Sequence, residues 1–174
     1  MENAYQPELW RDMFVVLGSS AAALIGLLFI ATSLHLNEIV NNPISHRRPL
    51  NNTCYLLILL IEALLLLIPQ PMPILGAELI CINLLGLWLP LNAVSIFFKD
   101  KERYRHAGGR IHRPMIFIVS SLVGVVGGAT LIEHLNWGIY LVAASCIVLR
   151  VMVVFGAWSI MVGIGQAGKT KTIN

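Results

Sequence analysis

From Phe14 to Leu34 the chain reads "FVVLGSSAAALIGLLFIATSL", without one charged residue. About 20 apolar residues in a helix cross the hydrocarbon of a bilayer, and this run has that length. Four more follow, at about Thr53–Ile68, Ile74–Phe98, Met115–Ile132 and Trp137–Val162. In lipid every backbone N–H and C=O must be satisfied within the element, so each run is expected to be a helix. None alternates as a strand would. The sequence therefore predicts an all-α, polytopic membrane bundle of five transmembrane helices. The whole chain, 1–174, is one transmembrane domain with no linker or repeat.

Composition closes the soluble alternative. Of 174 residues, 57% are hydrophobic and 12% charged, about half the charge that a soluble surface carries. The net charge of +3 could suggest nucleic acid, but the basic residues sit in short loops, and topology explains them better. No nucleic-acid partner is expected. Cys54, Cys81 and Cys146 all fall within apolar runs, where they read as small buried residues rather than disulfide or zinc positions. The acidic start, "MENAYQPELWRD", gives no secretory signal.

The loops predict an orientation. Arg47 and Arg48 lie between runs one and two. Lys99, Lys101, Arg103, Arg105, Arg110 and Arg113 lie between three and four, and Lys169 and Lys171 follow the fifth. With five crossings all share one side, and the other has only Arg11. The positive-inside rule then puts the N-terminus outside and the C-terminus in the cytoplasm. Trp10, Trp137 and Tyr140 fit an outer aromatic belt; Tyr55, Phe98 and Tyr104 fit an inner one. "PQPMP", Pro69–Pro73, forces a tight antiparallel hairpin of runs two and three.

Two stripes of small residues predict close helix approach: Gly18, Ala22 and Gly26, and Ser120, Gly124 and Gly128. They could pack within one bundle or between subunits. A chain this short has little interior of its own, so a homo-oligomer is expected.

The charges inside the runs are the candidate functional groups. Glu62 lies among eleven Leu and Ile residues between Leu56 and Ile68. Those contribute about −3 to −7 kcal/mol to insertion, against about +2.5 to +3.5 for one acid, so the span inserts. The carboxylate should nevertheless face protein or a wet cavity. Arg150, the one Lys or Arg deep in a run, is its expected partner, with Glu78 as a rival acceptor. Glu78, Asn92 and Lys99 are spaced by fourteen and seven residues, on one helix face with Ser95 beside them. Pro90 frees the carbonyl of Gly86 on that helix. Such a stripe lines a water-filled path or holds the bundle together.

Other chemistry finds little support. Glu133 and His134 read as a solvated pair at the outer surface, with a proton- or metal-sensitive mouth as the alternative. His35, His46, His106 and His112 are scattered on the cytoplasmic side, so no metal site is expected. The basic loop Lys99–Arg113 suits anionic lipid headgroups on the cytoplasmic face. No phosphate loop, HExxH, GxSxG or paired-acid hydrolytic motif occurs. An enzyme is disfavoured, and no cofactor is expected.

The opening "LWRDMFVVLGSSAAALIGLLFIATSLHL" resembles the start of a group of small bacterial inner-membrane proteins. The shared features are an aromatic–acidic start (Trp10, Asp12), a Gly/Ala-rich first helix and a Ser–Leu–His-like end (Ser33, Leu34, His35). Some of that group are labelled modulators of the membrane protease FtsH. The resemblance implies a bacterial inner membrane and hints at a regulatory role; it assigns no functional residue. From the residues, the expected function is a homo-oligomer giving an ion or small solute a polar, channel-like pathway. Glu62 and Arg150 would be its gate or lock, and Glu78, Asn92 and Ser95 its lining. The alternatives are a non-conducting partner or regulator of a larger membrane complex, and an enzyme acting on lipid or quinone.

Overall fold

In the computed structural model the backbone is described over residues 7–34, 43–99, 112–135 and 137–171. Side chains are described over 8, 10–34, 50–95, 98, 113–135 and 137–158. Five helices account for nearly all of it: α1 (Pro7–Leu34), α2 (Pro43–Leu67), α3 (Met72–Lys99), α4 (His112–Ile132) and α5 (Gly138–Lys171). All five are long and apolar enough to cross a membrane, over Trp10–Leu34, Leu50–Leu67, Met72–Ser95, Arg113–Ile132 and Gly138–Trp158. There is no strand among the described residues.

Several helix ends have a local cause. Proline opens α1 and α2, where its missing N–H costs nothing. Between α2 and α3 the turn is only Ile68–Pro71. There the Pro71 carbonyl accepts from the N–H groups of Ile74 (3.0 Å) and Leu75 (3.1 Å) and so begins α3. Helix α4 ends with two diagnostic bonds: Leu135 N–H to the Thr130 carbonyl (2.9 Å) and His134 N–H to that of Leu131 (3.1 Å). This pattern needs a left-handed residue between them, and His134 supplies it at φ 57°. A side chain there is strained by about 1 kcal/mol relative to glycine. His134→Gly should therefore stabilise the protein by about 0.5–1 kcal/mol, read as a later midpoint in denaturing-detergent titration.

Sequence neighbours all touch, but α2 meets α5 as extensively as it meets α3. The most extensive contact is α3 with α4, followed by α1 with α2 and α4 with α5. The core has two apolar clusters. One joins the start of α1, end of α2, start of α3, end of α4 and start of α5: Phe14, Leu66, Leu75, Leu79, Leu131 and Ile139. The other lies toward the opposite end: Leu28, Leu56, Leu59, Phe117, Leu149 and Val153. This grouping makes sequence neighbours antiparallel. It also defines a turn end, with the short 68–71 and 133–137 connections, and a basic end, with the longer ones. Aromatic pairs mark both. Trp10 meets Tyr140 edge-on at 4.9 Å, and Tyr55 stacks on Phe117 at 4.1 Å.

Glycine sets the α3–α4 distance. A Cβ on Gly128 would come within 2.8 Å of the Gly76 carbonyl oxygen, and one on Gly76 within 2.5 Å of the Gly128 oxygen. The two backbones touch, as small residues permit in lipid, where packing and not water exclusion drives helices together. The outward surface is apolar: Val16, Phe29, Leu85, Trp88, Phe98 and Trp158 are all more than 60% exposed. The inside holds the charged pair Glu62 and Arg150 with Asn52, Asn83, Ser120 and Ser145. That inversion of a soluble protein is what a lipid solvent requires.

Candidate functional site

Between the two apolar clusters lies a layer of buried polar side chains. Glu62 of α2 is 1% exposed, Asn83 of α3 is 3%, Ser145 of α5 is 2% and Arg150 of α5 is 8%. Cβ atoms lean toward a helix's N-terminus. Helix α2 starts at the basic end and α5 at the turn end, so Glu62 and Arg150 lean toward each other. Arg150 and Cys146, one turn apart on α5, come within electrostatic reach of Glu62.

The hydrogen bonds are incomplete. Glu62 Oε1 accepts from Asn83 Nδ2 at 2.9 Å, and the same amide nitrogen donates to the Leu79 carbonyl at 2.9 Å. Asn83 is thereby tied to its own helix while it holds the carboxylate. Glu62 Oε2 has no hydrogen-bond partner, nor has Ser145 Oγ. Neither has Nε, Nη1 or Nη2 of Arg150. The arginine thus lies near its counter-charge without a hydrogen bond to it. Burial without partners is costly for a charge, and among the described residues the buried side-chain polar atoms that lack partners all lie in this layer.

Helix α4 makes room for the layer. A Cβ on Gly124 would collide with the Asn83 carboxamide, whose Oδ1 is its nearest neighbour. Of the stripe Ser120, Gly124 and Gly128, Ser120 is 5% exposed, and both glycines pack against α3. Its glycines therefore serve packing within the chain. The stripe on α1 differs. Gly18 is buried, with its virtual Cβ 3.5 Å from Ala63, whereas a Cβ on Gly26 would meet nothing within 4 Å. Ala22 is also exposed.

The other sequence-predicted residues do not join the layer. Glu78 is half-buried near the turn end and accepts from Gln70 Nε2 at 2.7 Å. Asn92 and Ser95 are exposed on the outward side of α3. Glu133 and His134 are exposed in the turn after α4. At the basic end Arg113 is half-buried, close to buried Asn52, which donates to the Val153 carbonyl at 3.4 Å. Lys101, Arg103, Arg105 and Arg110 lie outside the described residues, as do the side chains of Lys99, Arg47, Arg48, Lys169 and Lys171. His35 and His106, and the side chains of His46 and His112, also lie outside them. Among the described residues no group of three His, Cys, Asp or Glu could hold a metal ion.

Sequence reasoning missed Asn83, Ser145 and Gly124's part in the layer. An asparagine deep in an apolar run was the available signal, since such a group must find a partner. A groove of about 390 Å³ also opens between α4 and α5, lined by Ile116, Val119, Ser120, Val123, Ala144 and Ser145 among others. Compared with protein-family models, curated proteins and solved structures, the chain matches none.

Proposed function

We propose that this chain is a multi-pass protein of the bacterial inner membrane that gives an ion or small solute a route across the bilayer. The route runs through the Glu62–Arg150 layer. One observation carries this reading: a carboxylate and a guanidinium are buried together at mid-bundle with most of their hydrogen-bonding atoms unused. A purely cohesive pair would be expected to saturate them. The apolar clusters above and below make this a closed state, with the charges as its lock. The N-terminus faces out and the C-terminus faces the cytoplasm, supported by the gathering of lysine and arginine in alternate loops. Anionic headgroups are the partners of that basic end.

The open side of α1 at Ala22 and Gly26 supports a homo-oligomer joined there. Gly26→Leu should leave the stability of the single chain within about 0.5 kcal/mol of wild type while lowering the cross-linked oligomer. Gly18→Leu, against Ala63, should destabilise the chain itself. Unchanged cross-linking in Gly26→Leu would remove this interface.

The direct test is flux in reconstituted vesicles, with anions, cations and protons followed separately at several potentials and pH values. Wild type should exceed empty vesicles for at least one of them, and Glu62→Gln should change that rate at least tenfold. Background flux in every arm would favour the second reading, a non-conducting partner of a larger complex. The exposed small-residue face of α1 suits that role too.

A further inference from the structure

We propose that the buried layer is a binding site for one small monovalent anion, held by Arg150 and admitted when Glu62 takes up a proton. The inference deepens the proposed route and rests on it for a physiological role. The binding chemistry is argued from the layer alone.

The argument is one of charge balance. Arg150 remains cationic in nearly any protein setting and offers five N–H donors in a planar fork. It is 8% exposed and none of its three nitrogens has a partner. A buried guanidinium needs both a counter-charge and acceptors. Glu62 supplies a charge within reach, but neither of its oxygens bonds the fork: Oε1 accepts from Asn83 of α3, and Oε2 has no partner. One negative charge is therefore required, and it has two possible sources. In one state it is the Glu62 carboxylate. In the other a proton on Glu62 neutralises that group, and an incoming anion both balances Arg150 and accepts from the fork. Either state is neutral within the layer. Anion without proton, or proton without anion, leaves a net charge in lipid, which is the costly condition. The two must move together, one for one.

Among the described residues the one titratable group beside both Glu62 and Arg150 is Cys146. Helix α3 brings Asn83 to the layer, while its Glu78 is engaged with Gln70 toward the turn end. Helix α1 carries Glu8, Arg11 and Asp12 at its exposed start. Helix α4 has Arg113 at its first turn and is followed by exposed Glu133 and His134. The planar fork favours planar oxyanions such as nitrate or formate over a spherical halide, since two parallel N–H···O bonds form at once. A divalent anion would overfill the balance.

The test uses purified full-length protein in lipid nanodiscs, titrated calorimetrically with nitrate, formate, chloride and sulfate. Two buffers of different ionisation enthalpy give the protons taken up per anion. Wild type should bind nitrate and formate with one proton each, chloride more weakly and sulfate not at all. Affinity should fall tenfold per pH unit once Glu62 is ionised. Glu62→Gln should bind nitrate without proton uptake or pH dependence. Arg150→Met should bind none. Arg150→Lys, which keeps the charge without the fork and guards against a folding defect in Arg150→Met, should lose nitrate about tenfold more than chloride. No anion binding in wild type, binding without proton uptake, or equal nitrate and chloride losses in Arg150→Lys would overturn the proposal. Proton-linked binding without vesicle flux would keep the site and discard the route. Cation flux without anion binding would do the reverse.

Discussion

Asn83→Leu should destabilise the protein by about 3–5 kcal/mol, the largest loss expected of any single substitution in the polar layer. The substitution removes the hydrogen bond to Glu62 Oε1, and Oε2 already lacks one. The buried carboxylate would then keep only the weakly donating Cys146 thiol beside it, and breaking a buried polar pairing from one side costs that much. Replacing the acid as well should restore much of the loss, since an apolar pair of similar volume has nothing to desolvate. The double variant Asn83→Leu with Glu62→Leu should thus be more stable than Asn83→Leu alone. Denaturing-detergent titration followed by circular dichroism reads both. Equal stability of the single and double variants would show that the carboxylate is satisfied by something other than Asn83.

Gly128→Val should have the next largest effect, separating α3 from α4. Its Cβ would lie 2.8 Å from the Gly76 carbonyl oxygen and 2.9 Å from Ile80 Cγ1. The first of these is backbone and cannot rotate away. Overpacking in a close-packed interior costs about 1–3 kcal/mol and more where backbone must shift. Here α3 must shift, and α3 carries Asn83, so the layer should loosen with it. Gly26→Val, on the open side of α1, is the matched control and should be near neutral for the single chain. Thiol accessibility of the buried Cys146 would report the loosening: faster labelling in Gly128→Val, wild-type labelling in Gly26→Val.

The parts of this fold that are legible in the sequence are those that lipid enforces. A run such as Phe14–Leu34 has one stable form in hydrocarbon, so the five helices and their order follow from run length alone. Helix ends are less legible. Helix α2 begins at Pro43, ten residues before the expected Thr53, because polar flanks such as "SHRRPLNN" continue a helix once they leave the oil. Which face turns inward is the least legible property. Helix α3 has polar residues on more than one side, buried Asn83 and exposed Asn92 and Ser95, so no single stripe points to its buried side. Spacing therefore grouped Glu78 with Asn92 and Ser95, whereas Leu75, Leu79, Asn83 and Pro90 turn inward. Glu62 and Arg150 could be singled out because charge in a span demands company. Asn83 carries no charge and so makes no such demand in the sequence, although its amide donates to the acid's Oε1.

The four-residue Ile68–Pro71 turn also bears on biosynthesis. Chains emerge from the ribosome N-terminus first, so Glu62 enters the membrane long before Arg150 is made. The tight turn delivers α2 and α3 as a pair, and Asn83 therefore arrives alongside the acid it must shield. Arg150, on the final helix, is inserted into a neighbourhood already waiting for a cation. A nascent chain truncated after α4 should still insert, holding Glu62 through its amide neighbour until the last helix joins.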